Sequence, residues 1–262
     1  MPIIQTETGF VYKSHKNKTN KFKKFKPLLI FFMLVLLVVG CFYLSTILNF
    51  TSVFGLNNYE IFTKKNYFAV VVASGKNFAE VSNIATEIKQ KKGAGYVLNY
   101  KNEYHVIANV YSSKEWAEIV EENLKADYET RILTVELSNM VVNIDYSQQQ
   151  IAGLKRALNL VNKAHENLYD LSVKLDKQEI MLAEVRQSLQ VFAEVCREEK
   201  ADFSNLFQND CTSLVASVKI YYGKVISSLS TLLLSENLGA DLKYVNCNLI
   251  AEFLSLQNLV IA

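Results

Sequence analysis

The chain has 262 residues, 50% of them apolar and 21% charged, with nine glycines, two prolines and a net charge of +2. This composition excludes a disordered chain and a collagen-like repeat. The small total conceals a split, because residues 1–26 hold seven lysines against one glutamate, leaving 21 basic and 25 acidic side chains for the rest. Pro2 and Pro27 both fall in the first tenth of the chain, so ring chemistry breaks no helix after residue 27.

Residues 1–26 read as a basic tail and 27–50 as a transmembrane helix. Leu28 to Phe50 contains only Ser45, Thr46 and Asn49 as clearly polar residues, and a span needs about 20 apolar residues. The run is too long for the core of a cleaved signal peptide, and no A-x-A site follows it. Lys13, Lys16, Lys18, Lys21, Lys23, Lys24 and Lys26 precede it, and lysine-rich flanks stay in the cytoplasm. A single-pass protein of the cell membrane is expected, N-terminus inside and its bulk outside. Topology accounts for the basic cluster, so no nucleic-acid partner is inferred.

After a connector at 51–66, residues 67–137 alternate between strand and helix signals. Tyr67 to Ala73 is a β-branched and aromatic run of strand length. Asn77 with Glu80 caps a helix that carries Val81, Ile84, Ala85 and Ile88 on one face as far as Lys91. Tyr96–Tyr100 and Tyr104–Tyr111 are two strands joined through Lys101, Asn102 and Glu103. Ser112 with Glu115 opens a second helix that turns Trp116, Val120 and Leu124 inward, and Thr130–Leu137 is a fourth strand. The order βαββαβ is the split βαβ arrangement of ferredoxin- and RNP-like domains, so the fold class is α+β.

The stretches YFAVVVAS and YHVIANVYSSKEWA resemble the two half-motifs of the sporulation-related repeat, or SPOR, domain. Val106, Tyr111, Ser112, Ser113 and Glu115 match the second half, and Tyr67, Val71 and Ala73 the first. The resemblance implies a non-enzymatic module, often membrane-anchored, that binds peptidoglycan glycan strands at sites of cell division or sporulation. The groove it implies lies on the sheet face away from the two helices. Strand alternation places Phe68, Val70, Val72, His105, Ile107 and Asn109 on that face, and Ala69, Val71, Tyr104, Val106 and Ala108 on the other. The family pattern has Gln at Val70, Arg at Ile107 and Gly at Val72 and Asn109. Valine and isoleucine offer a sugar no hydrogen-bond partners, and an uncovered apolar face of this size calls for a cover. The chain's own C-terminal helices, or a partner's helix, are expected there.

Residues 138–262 read as an all-α domain. Ile151, Leu154, Leu158, Val161, His165, Leu168, Ser172 and Leu175 form a heptad stripe. A second stripe runs through Met181, Val185, Leu189, Phe192 and Cys196, with Asp176 and Glu179 placed as a helix start. Leu206–Leu234 and Leu242–Leu259 are further helices. An antiparallel bundle is favoured over a stalk that forms a homodimer as a coiled coil. A chain reversal near Phe203 and Ser204 would bring Cys196 level with Cys211, which allows a disulfide outside the cytoplasm. There is no C-x-x-C, no clustered histidine and no hydrolase, phosphate-loop or dinucleotide motif, so no metal, cofactor or catalytic residue is assigned. Two roles follow as expectations. One is a peptidoglycan-binding envelope module; the other is a membrane-tethered scaffold, docking a division or wall-synthesis protein, whose sheet face no longer takes glycan.

Overall fold

The computed structural model describes residues 58–143 and 146–261, which belong to one compact unit spanning Asn57–Ala262. The expected basic tail, the span at 27–50 and the connector as far as residue 57 lie outside the described residues. Among the described ones no helix is long and apolar enough to cross a membrane.

The protein is mixed α+β. Its elements in chain order are β1 (Asn58–Phe62), β2 (Lys65–Gly75), α1 (Phe78–Gln90), β3 (Tyr96–Tyr100), β4 (Glu103–Tyr111), α2 (Lys114–Leu124), β5 (Arg131–Leu137), β6 (Met140–Asn143), α3 (Gln148–Leu158), α4 (Leu160–Asp176), α5 (Leu182–Leu206), α6 (Ser213–Leu233) and α7 (Leu238–Ile261). The main sheet has strand order β3-β4-β2-β5 with every pair antiparallel, so β2 to β5 with α1 and α2 make the βαββαβ unit.

Residues 58–62 are a strand where a connector is expected. β1 leads into β2 and β6 leads out of β5, so two neighbouring strands pair again beyond a break at residues 63–64 and 138–139. The break is closed by side chains. Lys64 N–H donates to Asn139 Oδ1 at 3.1 Å. The buried Gln257 of α7 accepts from Ser138 N–H at 3.0 Å and donates to Ser138 C=O at 2.7 Å. A strand interruption against a packed helix leaves backbone groups that must find partners, and one amide side chain supplies both.

Local chemistry sets the element ends. Asn77 caps α1 by accepting from Glu80 N–H at 3.1 Å. The cap of α2 is Ser113, which accepts from Trp116 N–H, one residue later than the expected Ser112. α2 buries Ala117 and packs Val120 and Leu124 against the sheet as expected, but leaves Trp116 59% exposed instead of inward. The β3–β4 hairpin turns on Lys101 and Asn102, both at positive φ (52° and 63°), the backbone that a two-residue turn of matching twist requires.

The expected heptad stripe is buried from Ile151 to Ser172 but runs over two helices, broken at Asn159. α4 continues to Asp176, and α5 starts at Leu182 after a turn through Gln178 (φ 59°), later than the start expected at Asp176–Glu179. Helix α4 packs on α7, α7 on α6 and α6 on α5, an antiparallel set within one chain. Sheet and helices share a single apolar core in which Phe62 meets Phe253 at 4.9 Å between ring centroids and Tyr67 meets His165 at 4.7 Å. The boundary expected at 137/138 is therefore a change of secondary structure inside one unit.

The cysteine pairing is corrected. Cys196, Cys211 and Cys247 are free thiols. α5 runs past the expected reversal to Leu206, which leaves Cys211 exposed in the connection to α6. Cys196 faces the core, where burial pushes its thiol up to about 12.

Inside the core, His165 Nδ1 lies 3.1 Å from Asn246 Oδ1, while His165 Nε2 and Asn246 Nδ2 have no protein partner among the described residues. Burial holds the imidazole neutral, with its pKa lowered to about 4 from the ordinary 6.5. The unfolded chain takes up that proton first. Stability is thus fully present above pH 6.5 and declines between pH 6.5 and about 4, by about 3 kcal/mol from this residue. Urea unfolding as a function of pH should show this decline, and His165→Leu with Asn246→Leu, which removes both polar partners, should flatten it. In the hairpin, Lys101→Asn with Asn102→Gly should raise the unfolding free energy by about 1 kcal/mol, since these residues accept positive φ more readily.

Candidate functional site

The residues expected to form one binding face divide between two. β2 and β4 are joined in a register with two irregularities. Val70 pairs with Asn109 and Val71 with Ile107, leaving Ala108 as an extra residue on β4; Ala73 then pairs with Val106, leaving Val72 extra on β2. Each bulge shifts the alternation by one. Val72, Val106 and Ala108 pack against Val81, Ala85 and Ile88 of α1, and Val70 and Tyr111 against Ala117 of α2, with Phe68 alongside. Asn109, paired with Val70, lies on this helix side too. Of the six expected residues, Ile107 and His105 remain on the opposite face. Phe68, Val70, Val72 and Asn109 do not.

The physical reason is that YFAVVVA is apolar at both parities. Alternation fixes a strand's phase only where one face is wet, and here both faces are dry. On β4 the expected phase holds as far as Ile107, and the bulge at Ala108 then turns Asn109 toward the helices.

The face away from α1 and α2 is carried by Tyr67, Ala69 and Val71 of β2, Ile107 and Val110 of β4 and Val135 and Leu137 of β5. It is filled from within the chain. α7 crosses over β3 and β4, and α4 brings His165 and Leu168 into the same core. Tyr67 is 0% and Ile107 1% exposed, and the Tyr67 hydroxyl donates to Asn162 of α4 at 2.6 Å. Tyr96 meets Tyr244 of α7 edge-on at 5.2 Å. At one end of α7 the largely buried Lys243 donates to Lys92 C=O at 2.8 Å and to Asp176 at 2.5 Å; at the other, Gln257 holds Ser138. The helix is fixed at both ends by buried polar contacts.

What stays open on this side is a groove of about 750 Å³ between β3 and α7, lined by Tyr96, Leu98, Tyr100, Leu254, Ser255 and Asn258 among others. Its one carboxylate, Glu136, is paired with Lys64 at 2.9 Å. The lining offers hydroxyls, amides, the Lys101 ammonium and two tyrosine rings.

A polar cluster lies at the other end of β2 and β4. His105 is 3% exposed, and its Nδ1 is 2.9 Å from Ser74 Oγ and 3.1 Å from Arg131 Nη2. Arg131 Nη2 also reaches Ser74 Oγ and Glu103 Oε2, each at 3.0 Å. Burial and the adjacent guanidinium hold His105 below its ordinary pKa. A histidine activates a serine by taking its proton, and here a guanidinium competes for the same ring nitrogen. The Nε2 atom is 3.7 Å from Glu103, beyond hydrogen-bond length. The arrangement ties β2, β4 and β5 together as a clasp. Among the described residues no group of three metal-ligating side chains is brought together.

Comparison of the chain with protein-family models, with curated proteins and with solved structures finds no match in any of the three.

The filled face has a direct test. Ile107→Arg places an unpaired guanidinium under α7 and should cost about 3–5 kcal/mol of unfolding free energy, measured in urea. Val70→Gln instead puts an amide against Ala117 of α2, at a cost of about 1–3 kcal/mol. If Ile107→Arg left the unfolding midpoint unchanged, the face would not be packed as described.

Proposed function

We propose that this chain is a non-enzymatic, single-pass envelope protein whose outer part is a SPOR-like module turned into a docking platform for a protein of the division or wall-building machinery. The observation that carries this reading is the occupied sheet face. Where the SPOR resemblance implies a glycan groove, Tyr67, Ile107 and Val135 are buried beneath α4 and α7. Glycan could reach that surface only by displacing α7. At about 25 cal/mol per Å², uncovering several hundred square ångströms of apolar surface would cost as much as a small domain's whole stability. The apolar span at 27–50, preceded by seven lysines, supports the tether and its orientation.

A second reading keeps peptidoglycan as the ligand and is favoured by the groove between β3 and α7, which lies beside the same face and presents Tyr100 and Asn258. Co-sedimentation of the detergent-solubilised chain with cell walls stripped of peptides separates the two. The docking reading expects no retention that depends on Tyr100 or Asn258, together with protein adducts when the full chain is crosslinked in growing cells. Retention abolished by Tyr100→Ala with Asn258→Ala would overturn it in favour of glycan.

A further inference from the structure

On the other side of the sheet, a cleft of about 370 Å³ opens between α1, α2 and α4. Its walls are aromatic. Trp116 stands at the mouth, 59% exposed. Tyr111 and Tyr169 meet edge-on at 5.7 Å deeper in. Tyr128 forms a third wall, held by Lys91 donating to its hydroxyl at 2.8 Å and by its own donation to Glu87 at 2.7 Å. Glu87 and Lys91 are in turn paired at 2.9 Å, so this wall is fixed before any ligand arrives.

The polar groups of the cleft include several donors. Asn109 is more than nine-tenths buried; its Oδ1 is taken by Val110 N–H at 2.9 Å, while its Nδ2 has only a 3.4 Å contact with the Tyr111 hydroxyl. The half-buried Tyr169 brings its hydroxyl to the lining and the exposed Lys92 its ammonium. Lys92 is also a non-glycine residue at φ 66°, the left-handed position that closes the C-terminal end of α1, with Gly93 N–H donating to Ile88 C=O at 2.9 Å and Lys92 N–H to Lys89 C=O at 3.1 Å. Asp127 at the rim is a carboxylate with no ion-pair partner among the described residues.

A ligand for such a site should bring acceptors, compact apolar rings for the aromatic walls, and one cation. A saccharide fits less well, because its many hydroxyl donors would meet few acceptors beyond Asp127 and the tyrosine hydroxyls. Proline-rich backbone fits well: its imide nitrogens carry no hydrogen, its carbonyls stay free in the extended left-handed helix, and its rings pack on aromatic ridges. The chain cannot supply such a segment to itself or to a second copy, since Pro2 and Pro27 are its only prolines and lie 25 positions apart.

We infer that the cleft between α1, α2 and α4 binds a proline-rich segment of a partner protein, with Asn109, Tyr169 and Trp116 donating to its carbonyls and Asp127 pairing with a basic residue at its end. This deepens the docking reading by naming the partner's chemistry. It is tested on a different face, so its failure leaves the sheet-face result untouched.

Trp116 is the only tryptophan in the chain, so intrinsic fluorescence reports on this cleft directly. The probes are a short oligoproline ending in arginine, the same peptide ending in alanine, and a glycine–serine peptide of equal length. The expected result is a saturable fluorescence change with the oligoprolines alone. Asp127→Ala, at an exposed position, should weaken the arginine peptide about tenfold and leave the alanine one unchanged. Tyr169→Phe, which removes a hydroxyl and keeps the ring, should weaken both several-fold. No saturable change with oligoproline, an equal change with glycine–serine peptide, or saturation by N-acetylglucosamine instead would overturn the inference.

Discussion

The constraint on which the rest depends is that the central strands are dry on both faces. β2 carries Tyr67, Ala69 and Val71 on one side and Phe68, Val70 and Val72 on the other, and the one hydrogen-bonding group among these side chains, the Tyr67 hydroxyl, is taken by Asn162 of α4. Two helices from the βαββαβ unit cover only one face. The remaining face needs a second layer, and α4 and α7 provide it. This is why a segment that reads as a separate helical domain shares one core with the sheet. The helical part is the sheet's missing cover.

The buried polar contacts decide how that cover sits. Apolar burial is non-directional and would allow α7 to slide or rotate on the sheet. Lys243 on Lys92 C=O and Asp176, and Gln257 on both backbone groups of Ser138, allow one position. Leaving any of these groups unpaired under the helix would cost more than the contact contributes, so the contacts specify register more than they add stability. The clasp of Ser74, His105, Arg131 and Glu103 does the same for the opposite end of the strands.

Binding chemistry follows from what this packing leaves uncovered. With the expected groove filled, concave surface persists where α7 passes β3 and where α1, α2 and α4 fail to close over the end of β4. The second opening exists because α2 buries the small Ala117 and turns Trp116 outward, and because the bulge at Ala108 turns Asn109 to the helix side. The first follows from which residues of α2 meet Val70 and Tyr111, the second from a single-residue shift of phase in one strand.

Such long-range choices mark the limit of what could be read from the residues. The strand and helix order, the caps at Asn77 and near Ser113, the turn at Lys101–Asn102 and the stripe from Ile151 to Ser172 all lie within a few residues of where the sequence puts them. Each is a local property, written in periodicity, capping side chains or turn chemistry within one or two turns of chain. Which parity of YFAVVVA faces α1, whether α2 starts at Ser112 or Ser113, and whether Cys196 can meet Cys211 are set by partners distant in the chain. For a strand that is apolar on both sides, no residue within it distinguishes the two faces. Only the register with β4, its two bulges and the helices laid over each side decide which residues are core and which remain to meet a ligand.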